Sequence, residues 1–132
     1  MDIAQIAQKR HSCKAFDPSR QLSAAQLQQL QDLLYWAPSS INSQPWHFFL
    51  ASSAEAKEKI ALGMAGQPYA YNAKKVRDAA LAVVFCAKTD LSAAHIDAVL
   101  AQEAADGRFT TAQAQAQRRA ACHFFTDLHR EK

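Results

Sequence analysis

Arg10-His11-Ser12-Cys13-Lys14 places two permanent cations, a hydroxyl and a run of backbone donors within five residues, at the end of a short apolar-patterned stretch. Such a cluster suits a phosphate and the polar edge of a ring, because guanidinium and ammonium groups make charge-assisted bonds to anionic oxygens. It equally suits the plainer task of balancing a helix C-terminus. Pro38-Ser39-Ser40-Ile41-Asn42-Ser43-Gln44-Pro45-Trp46 carries more hydrogen-bonding side chains than a connection needs and is bounded by prolines. It reads as a loop able to contact a ligand, or as a well-capped connection. Asn72-x-x-Lys75 puts an amide and an ammonium one helical turn apart at a helix start, which alone means little.

The elements that must position these groups are marked by pattern. Ile3, Ile6 and Ala7 share one side of a predicted helix over 2–10, and Asp17-Pro18-Ser19 is a turn. Ser23 and Gln26 form a capping box, with Leu22 and Leu27 at the staple positions. Leu27, Leu30, Leu34 and Ala37 then line one face until Pro38 stops the helix. Residues 46–51 read as a short strand. Ser52 and Glu55 read as a second capping box opening a helix to about Met64, and a short basic helix is expected over 73–78. The unbroken apolar run over 80–87 predicts a strand buried on both faces, with Cys86 as core packing. A helix from Ser92 stops at Gly107, and a last one runs from about Thr111 through Phe124, Phe125 and Leu128. Two strands alone rarely make a stable sheet, so the chain reads as the front part of a larger α+β domain.

Composition excludes several classes. At 132 residues there is room for one domain. Apolar residues are 49% and charged ones 20%, unlike a disordered chain. Three glycines, Gly63, Gly66 and Gly107, cannot spell a dinucleotide-binding or P-loop motif. Cys13, Cys86 and Cys122 form no C-x-x-C and read as reduced thiols, and the histidines His11, His47, His95, His123 and His129 have no metal-binding spacing. The net charge of +3 is scattered, so Lys74, Lys75, Arg77, Arg118 and Arg119 are a weak prompt for nucleic acid. No apolar run approaches the roughly 18 residues of a membrane span, and the first residues lack the order of a secretory signal. A cytoplasmic protein without nucleic-acid or membrane partners is the expectation.

Taken in order, the three clusters resemble the nitroreductase family, the FMN-dependent, oxygen-insensitive NAD(P)H nitroreductases and dihydropteridine reductases. The likeness extends along the chain: Arg-His-Ser-x-Lys-Ala-Phe-Asp at 10–17, Pro-Ser-Ser-x-Asn-Ser-Gln-Pro-Trp-His-Phe at 38–48, Val83 to Thr89, Ala105 to Phe109, and Phe124-Phe125-x-x-x-His129-Arg130. The resemblance implies an α+β nitroreductase-like fold. Residues 1–132 would be its N-terminal portion, with several helices and two core strands, truncated before the rest of the sheet and the central dimer helix.

The resemblance further implies a homodimer with FMN at the interface and NADH or NADPH as donor. Arg10 would reach the phosphate, while His11, Ser12 and Cys13 line the ribityl chain and ring edge. Lys14, Asn72 and Lys75 would bond the polar pyrimidine edge, where cations stabilise the charge that reduction brings. Pro38, Ser39, Ser40 and Asn42 would come from the other subunit. Ile41, Arg108 and Phe125, with Lys14 and Asn72, would face the nicotinamide or acceptor. No side-chain nucleophile and no metal are needed, since the flavin carries the chemistry. The implied reaction is ping-pong, two electrons passing from NAD(P)H to nitroaromatics, quinones, pteridines or flavins. The alternative is a truncated, non-catalytic family member acting as a fragment or partner of a full-length relative. Three departures from the family pattern stand out: Ile41 replaces a frequent hydroxyl residue, one extra residue precedes Asn72, and the late Lys-x-Arg phosphate pair is absent.

Overall fold

The computed structural model describes residues 2–128. Its elements are α1 (Ile3–Lys9), α2 (Ala24–Tyr35), β1 (Trp46–Ala51), α3 (Ala54–Gly63), α4 (Ala73–Asp78), β2 (Ala82–Ala87), α5 (Ala93–Ala105) and α6 (Ala112–Leu128). Single 3-10 turns at Ser40–Asn42 and Ala70–Asn72 precede β1 and α4. The two strands pair antiparallel, the amide of Lys88 donating to the Pro45 carbonyl at 2.7 Å. The architecture is α+β, as expected.

Local chemistry explains the boundaries. Asp2 caps α1 by accepting from the Gln5 amide at 2.8 Å. At α2 the capping box is reciprocal: Ser23 Oγ accepts from the Gln26 amide at 3.2 Å, and the Ser23 amide donates to Gln26 Oε1 at 2.9 Å. The expected cap of α3 is off by one residue. Ser53, not Ser52, accepts from the Ala56 amide, at 3.1 Å, because the serine next to the first helical residue is the one whose oxygen reaches the free amides. Ser92 and Thr111 do the same for His95 and Ala114. Beyond α5, Gly107 takes φ 76°, with its amide on the Ala104 carbonyl and the Arg108 amide on the Glu103 carbonyl. This Schellman closure needs a left-handed residue, which glycine supplies without a Cβ clash. It also folds Arg108 back beside Glu103.

The chain divides into two compact units. The first comprises residues 1–30 and 49–84 and holds α1, the front of α2, α3 and α4. Ala51, Ala61 and Ala79 are its buried apolar residues, and Lys57 is buried with them, its ammonium donating to the Ala79 carbonyl at 2.8 Å where α4 ends. A cation at a helix C-terminus complements the unpaired carbonyls there. The second unit comprises residues 31–48 and 85–132. Ile96 and Leu100 of α5 pack with Cys122 of α6, and Ile41 and Phe109 lie against this core.

Apolar side chains remain uncovered in both units. The expected apolar side of α1 is open, with Ile3 and Ile6 exposed. Leu27, Leu30, Leu34 and Ala37 are the half-buried positions of the second helical stretch, as the pattern predicted, whereas Tyr35 and Trp36 stand out, Trp36 at 77% exposure. The expectation that the 80–87 strand is buried on both faces is corrected. Phe85 is 71% exposed, because no layer covers its face of the two-stranded sheet among the described residues, and Cys86, on the opposite face, is only half-buried. The apolar run marks the strand but not the cover.

Candidate functional site

In the first unit, α1 ends at Arg10, whose extended backbone starts an exposed segment through Lys14. His11 Nδ1 donates to the Lys9 carbonyl at 3.2 Å, and its Nε2 lies 3.6 Å from the Cys13 sulfur. Among the described residues neither Arg10 nor Lys14 is tied up in an ion pair. Asn72 and Lys75 are brought together as the spacing predicted. The Lys75 ammonium donates to Asn72 Oδ1 at 2.8 Å and lies 5.2 Å from the centre of the Tyr71 ring. With its oxygen accepting from Lys75, Asn72 keeps an NH2 group and the ammonium keeps further N–H bonds, so the half-buried pair is rich in donors. Such an edge matches a ring bearing carbonyl and ring-nitrogen acceptors.

The two cations flanking Lys75 on α4 are committed elsewhere. Lys74 is paired with Asp78 at 2.5 Å, and Arg77 makes two bonds to Glu58 at 2.6 and 2.9 Å. In the second unit, Arg119 pairs with Asp97.

The second unit holds the proline-bounded loop. Ile41, Asn42 and Gln44 have φ of 50°, 52° and 44°. A left-handed backbone costs a non-glycine residue on the order of 1–3 kcal/mol, most for a β-branched one such as Ile41. Such a shape persists only when its surroundings over-determine it. Within the loop, the Asn42 amide bonds the Ser39 carbonyl and the Ser43 amide the Ser40 carbonyl, both at 3.0 Å, and Ser39 Oγ accepts from the Gln44 amide at 2.9 Å. From outside, His95 Nε2 donates to the Ser43 carbonyl at 2.7 Å, and Arg118 Nη2 donates to the Ile41 carbonyl at 2.7 Å.

Glu103 organises the rest. Its Oε1 accepts from Asn42 Nδ2 at 2.7 Å and from Arg108 Nη1 at 3.0 Å, and Arg118 reaches both carboxylate oxygens at 3.4 Å. The residue is 5% exposed. Burial pushes its carboxyl up, but the bonds from Asn42 and Arg118 and the charges of Arg118 and Arg108 outweigh this and hold it below the usual carboxylate range. Sequence reasoning missed Glu103, Arg118 and His95. The available signal was an acidic residue continuing the Ile96, Leu100 stripe at helical spacing.

Next to the loop is a cavity of about 260 Å³, lined by Ser40, Ile41 and Ser43, by residues 88–91, and by Phe125 and Thr126. It gathers two of the expected acceptor-facing residues, Ile41 and Phe125, whereas Arg108 is bound to Glu103 and does not line it. Phe125 stacks edge-on with Phe124 at 5.3 Å. Pro38 is exposed, and the Asn42 amide faces Glu103. His129 and Arg130, which entered the sequence likeness, lie outside the described residues. Among the described residues no group of three or more His, Cys, Asp or Glu side chains could hold a metal, and no helix is long and apolar enough to cross a membrane.

The profile described as the nitroreductase family matches residues 7–127, a span that includes the clusters at 10–14, 38–46 and 72–75. The chain belongs to the nitroreductase family. It is 48% identical over 130 residues to the oxygen-insensitive NAD(P)H nitroreductase of Salmonella typhimurium, covering 98% of this chain and 59% of that protein. The chain thus spans about three fifths of that relative's length. Among solved structures, a nitroreductase-like protein from Streptococcus mutans superposes with a TM-score of 0.74 at 23% identity, over 97% of this chain and 58% of the other. A protein from Exiguobacterium sibiricum, described as a nitroreductase and solved in complex with FMN, gives 0.67 at 21% identity, over 95% and 57%. Both likenesses place the chain in the nitroreductase fold.

Proposed function

We propose that the chain is a single nitroreductase-like domain that binds FMN and acts as an NAD(P)H-dependent oxidoreductase in a cytoplasmic homodimer. The observation that carries this reading is the donor-rich edge of Asn72 and Lys75, together with the cations Arg10 and Lys14, which make no ion pair among the described residues. When bound, FMN supplies the two-electron chemistry, accepting hydride from NADH or NADPH and passing the electrons in ping-pong to a nitroaromatic, quinone, pteridine or flavin.

Each residue then has a physical task. Arg10 neutralises the phosphate, with His11, Ser12 and Cys13 along the ribityl chain and ring edge. Lys14, Lys75 and Asn72 hold positive charge and N–H donors against the pyrimidine edge, which favours electron uptake there. Pro38, Ser39 and Ser40 are offered to the flavin of the second subunit, with Asn42 taking part through its backbone, because its side-chain amide is held by Glu103 and Gln44. Phe125 and Ile41 wall the cavity that receives a planar acceptor, and Arg108, outside that wall and paired with Glu103, adds positive charge for the anionic groups of the nicotinamide nucleotide.

The test is an absorbance spectrum of the purified chain after FMN addition and desalting, with size exclusion. Retained flavin bands on a dimer and NAD(P)H-driven reduction of a nitroaromatic are expected. A colourless monomer overturns the reading. A second reading, a non-catalytic partner of a longer relative, is favoured by the uncovered Tyr35, Trp36, Phe85 and Phe124. Co-purification with such a relative, without flavin on the isolated chain, separates the two.

A further inference from the structure

The bonds internal to the 39–44 loop span at most five residues and are open to many tight turns. Three side-chain bonds from far along the chain distinguish this one: His95 Nε2 donates to the Ser43 carbonyl, past Ile41 and Asn42, and two more act at Ile41 and Asn42 themselves. Asn42 Nδ2 reaches Glu103 across 61 positions, and Arg118 reaches the Ile41 carbonyl across 77. Both converge on one carboxylate, since Arg118 also contacts both oxygens of Glu103. A buried charge must keep its donors, because water cannot replace them. That requirement draws the Asn42 amide inward, and with Arg118 seated on Glu103 it draws the Ile41 carbonyl with it.

We propose that Glu103 is a positioning residue for this site: its buried carboxylate, by gathering Asn42 and Arg118, holds Ile41 and Asn42 in the left-handed backbone and so fixes the wall that Ser40 and Ile41 give the adjacent cavity. The loop-holding role stands on the geometry alone. Its consequence for flavin binding rests on the function proposed above. Arg108, brought to the same carboxylate by the Schellman turn, completes its shell without touching the loop.

The experiment compares the full chain with Glu103→Gln and with the double variant Glu103→Gln/Ile41→Gly. Glutamine keeps the size and one acceptor but turns an NH2 group toward Arg118. Amide exchange at Asn42, Ser43 and Gln44 is expected to rise about tenfold in Glu103→Gln, the counterpart of one unsupported left-handed residue, while α3 is unchanged. Ile41→Gly in that background is expected to recover most of the loss, because glycine adopts φ near 50° freely. Titration of FMN fluorescence should show Kd up about tenfold in Glu103→Gln, and the double variant, which lacks the Ile41 wall, is read by loop exchange alone. If Glu103→Gln does not fold, Arg118→Gln carries the same expectations. Unchanged loop exchange, an equal rise in α3, or no relief from Ile41→Gly overturns the proposal. Absence of FMN quenching by the unaltered chain overturns the flavin reading, and loop exchange still decides the role of Glu103.

Discussion

Ile96 offers a graded measure of the packing that supports the site. It is 2% exposed and sits with Leu100 and Cys122, against which Ile41 of the loop packs. Ile96→Val removes one methyl group and should cost about 1 kcal/mol. Ile96→Ala removes three carbons, about 2.4 kcal/mol at 0.8 per buried methylene, and leaves a cavity worth about 1–2 kcal/mol more. The sum, about 4 kcal/mol, is a large share of the roughly 7–20 kcal/mol expected for a chain of this length. Urea denaturation should show the midpoint falling in the order Ile, Val, Ala, with amide exchange in the 39–44 loop rising in step. A loss under about 1 kcal/mol for Ile96→Ala would mean that this cluster is not the core supporting the loop.

Three further outcomes are expected. Ser23→Ala should lower stability by about 1 kcal/mol in denaturant unfolding, with little further loss from Gln26→Ala once the reciprocal box is broken. Because the Glu103 carboxyl is held below its unfolded value near 4.5, its contribution is fully present above that pH and drains away as pH falls through the folded value. Stability measured between pH 3 and 7 should lose part of its acid slope in Glu103→Gln, and an unchanged slope would refute the coupling. Lys75→Met should weaken FMN binding about tenfold or more by removing one charge-assisted donor, read by fluorescence titration, whereas an unchanged Kd places the flavin elsewhere.

Much of this was legible in local sequence, because caps and periodicity act over a few residues. The Ser23 and Gln26 box, the Leu27, Leu30, Leu34 face and the bounds of β1 and α4 follow from neighbours alone. The cap at Ser53 was misread because two adjacent serines compete and only geometry chooses between them. The solvent face of β2 was misread because an apolar run reports a preference for burial, not the presence of a cover. Within the site, Asn72 with Lys75 was predictable from one helical turn, as was the loop's polar character. That Ile41 and Asn42 are left-handed was not, since its cause lies in Glu103 and Arg118, whose meeting with these two residues no local pattern records.

Those long separations also set an order of events. A chain emerging from the ribosome makes residues 39–44 well before Glu103, and Arg118 later still. Helices such as α2 and α3 carry their N-terminal caps within a few residues of themselves, so that closure needs nothing made later. The loop waits for α5 and α6 to dock, since the entropy of closing so long a segment is recovered only when the carboxylate and guanidinium arrive. Shape at this site is therefore conferred late in synthesis, and a nascent chain released before residue 118 has the sequence motif without the conformation.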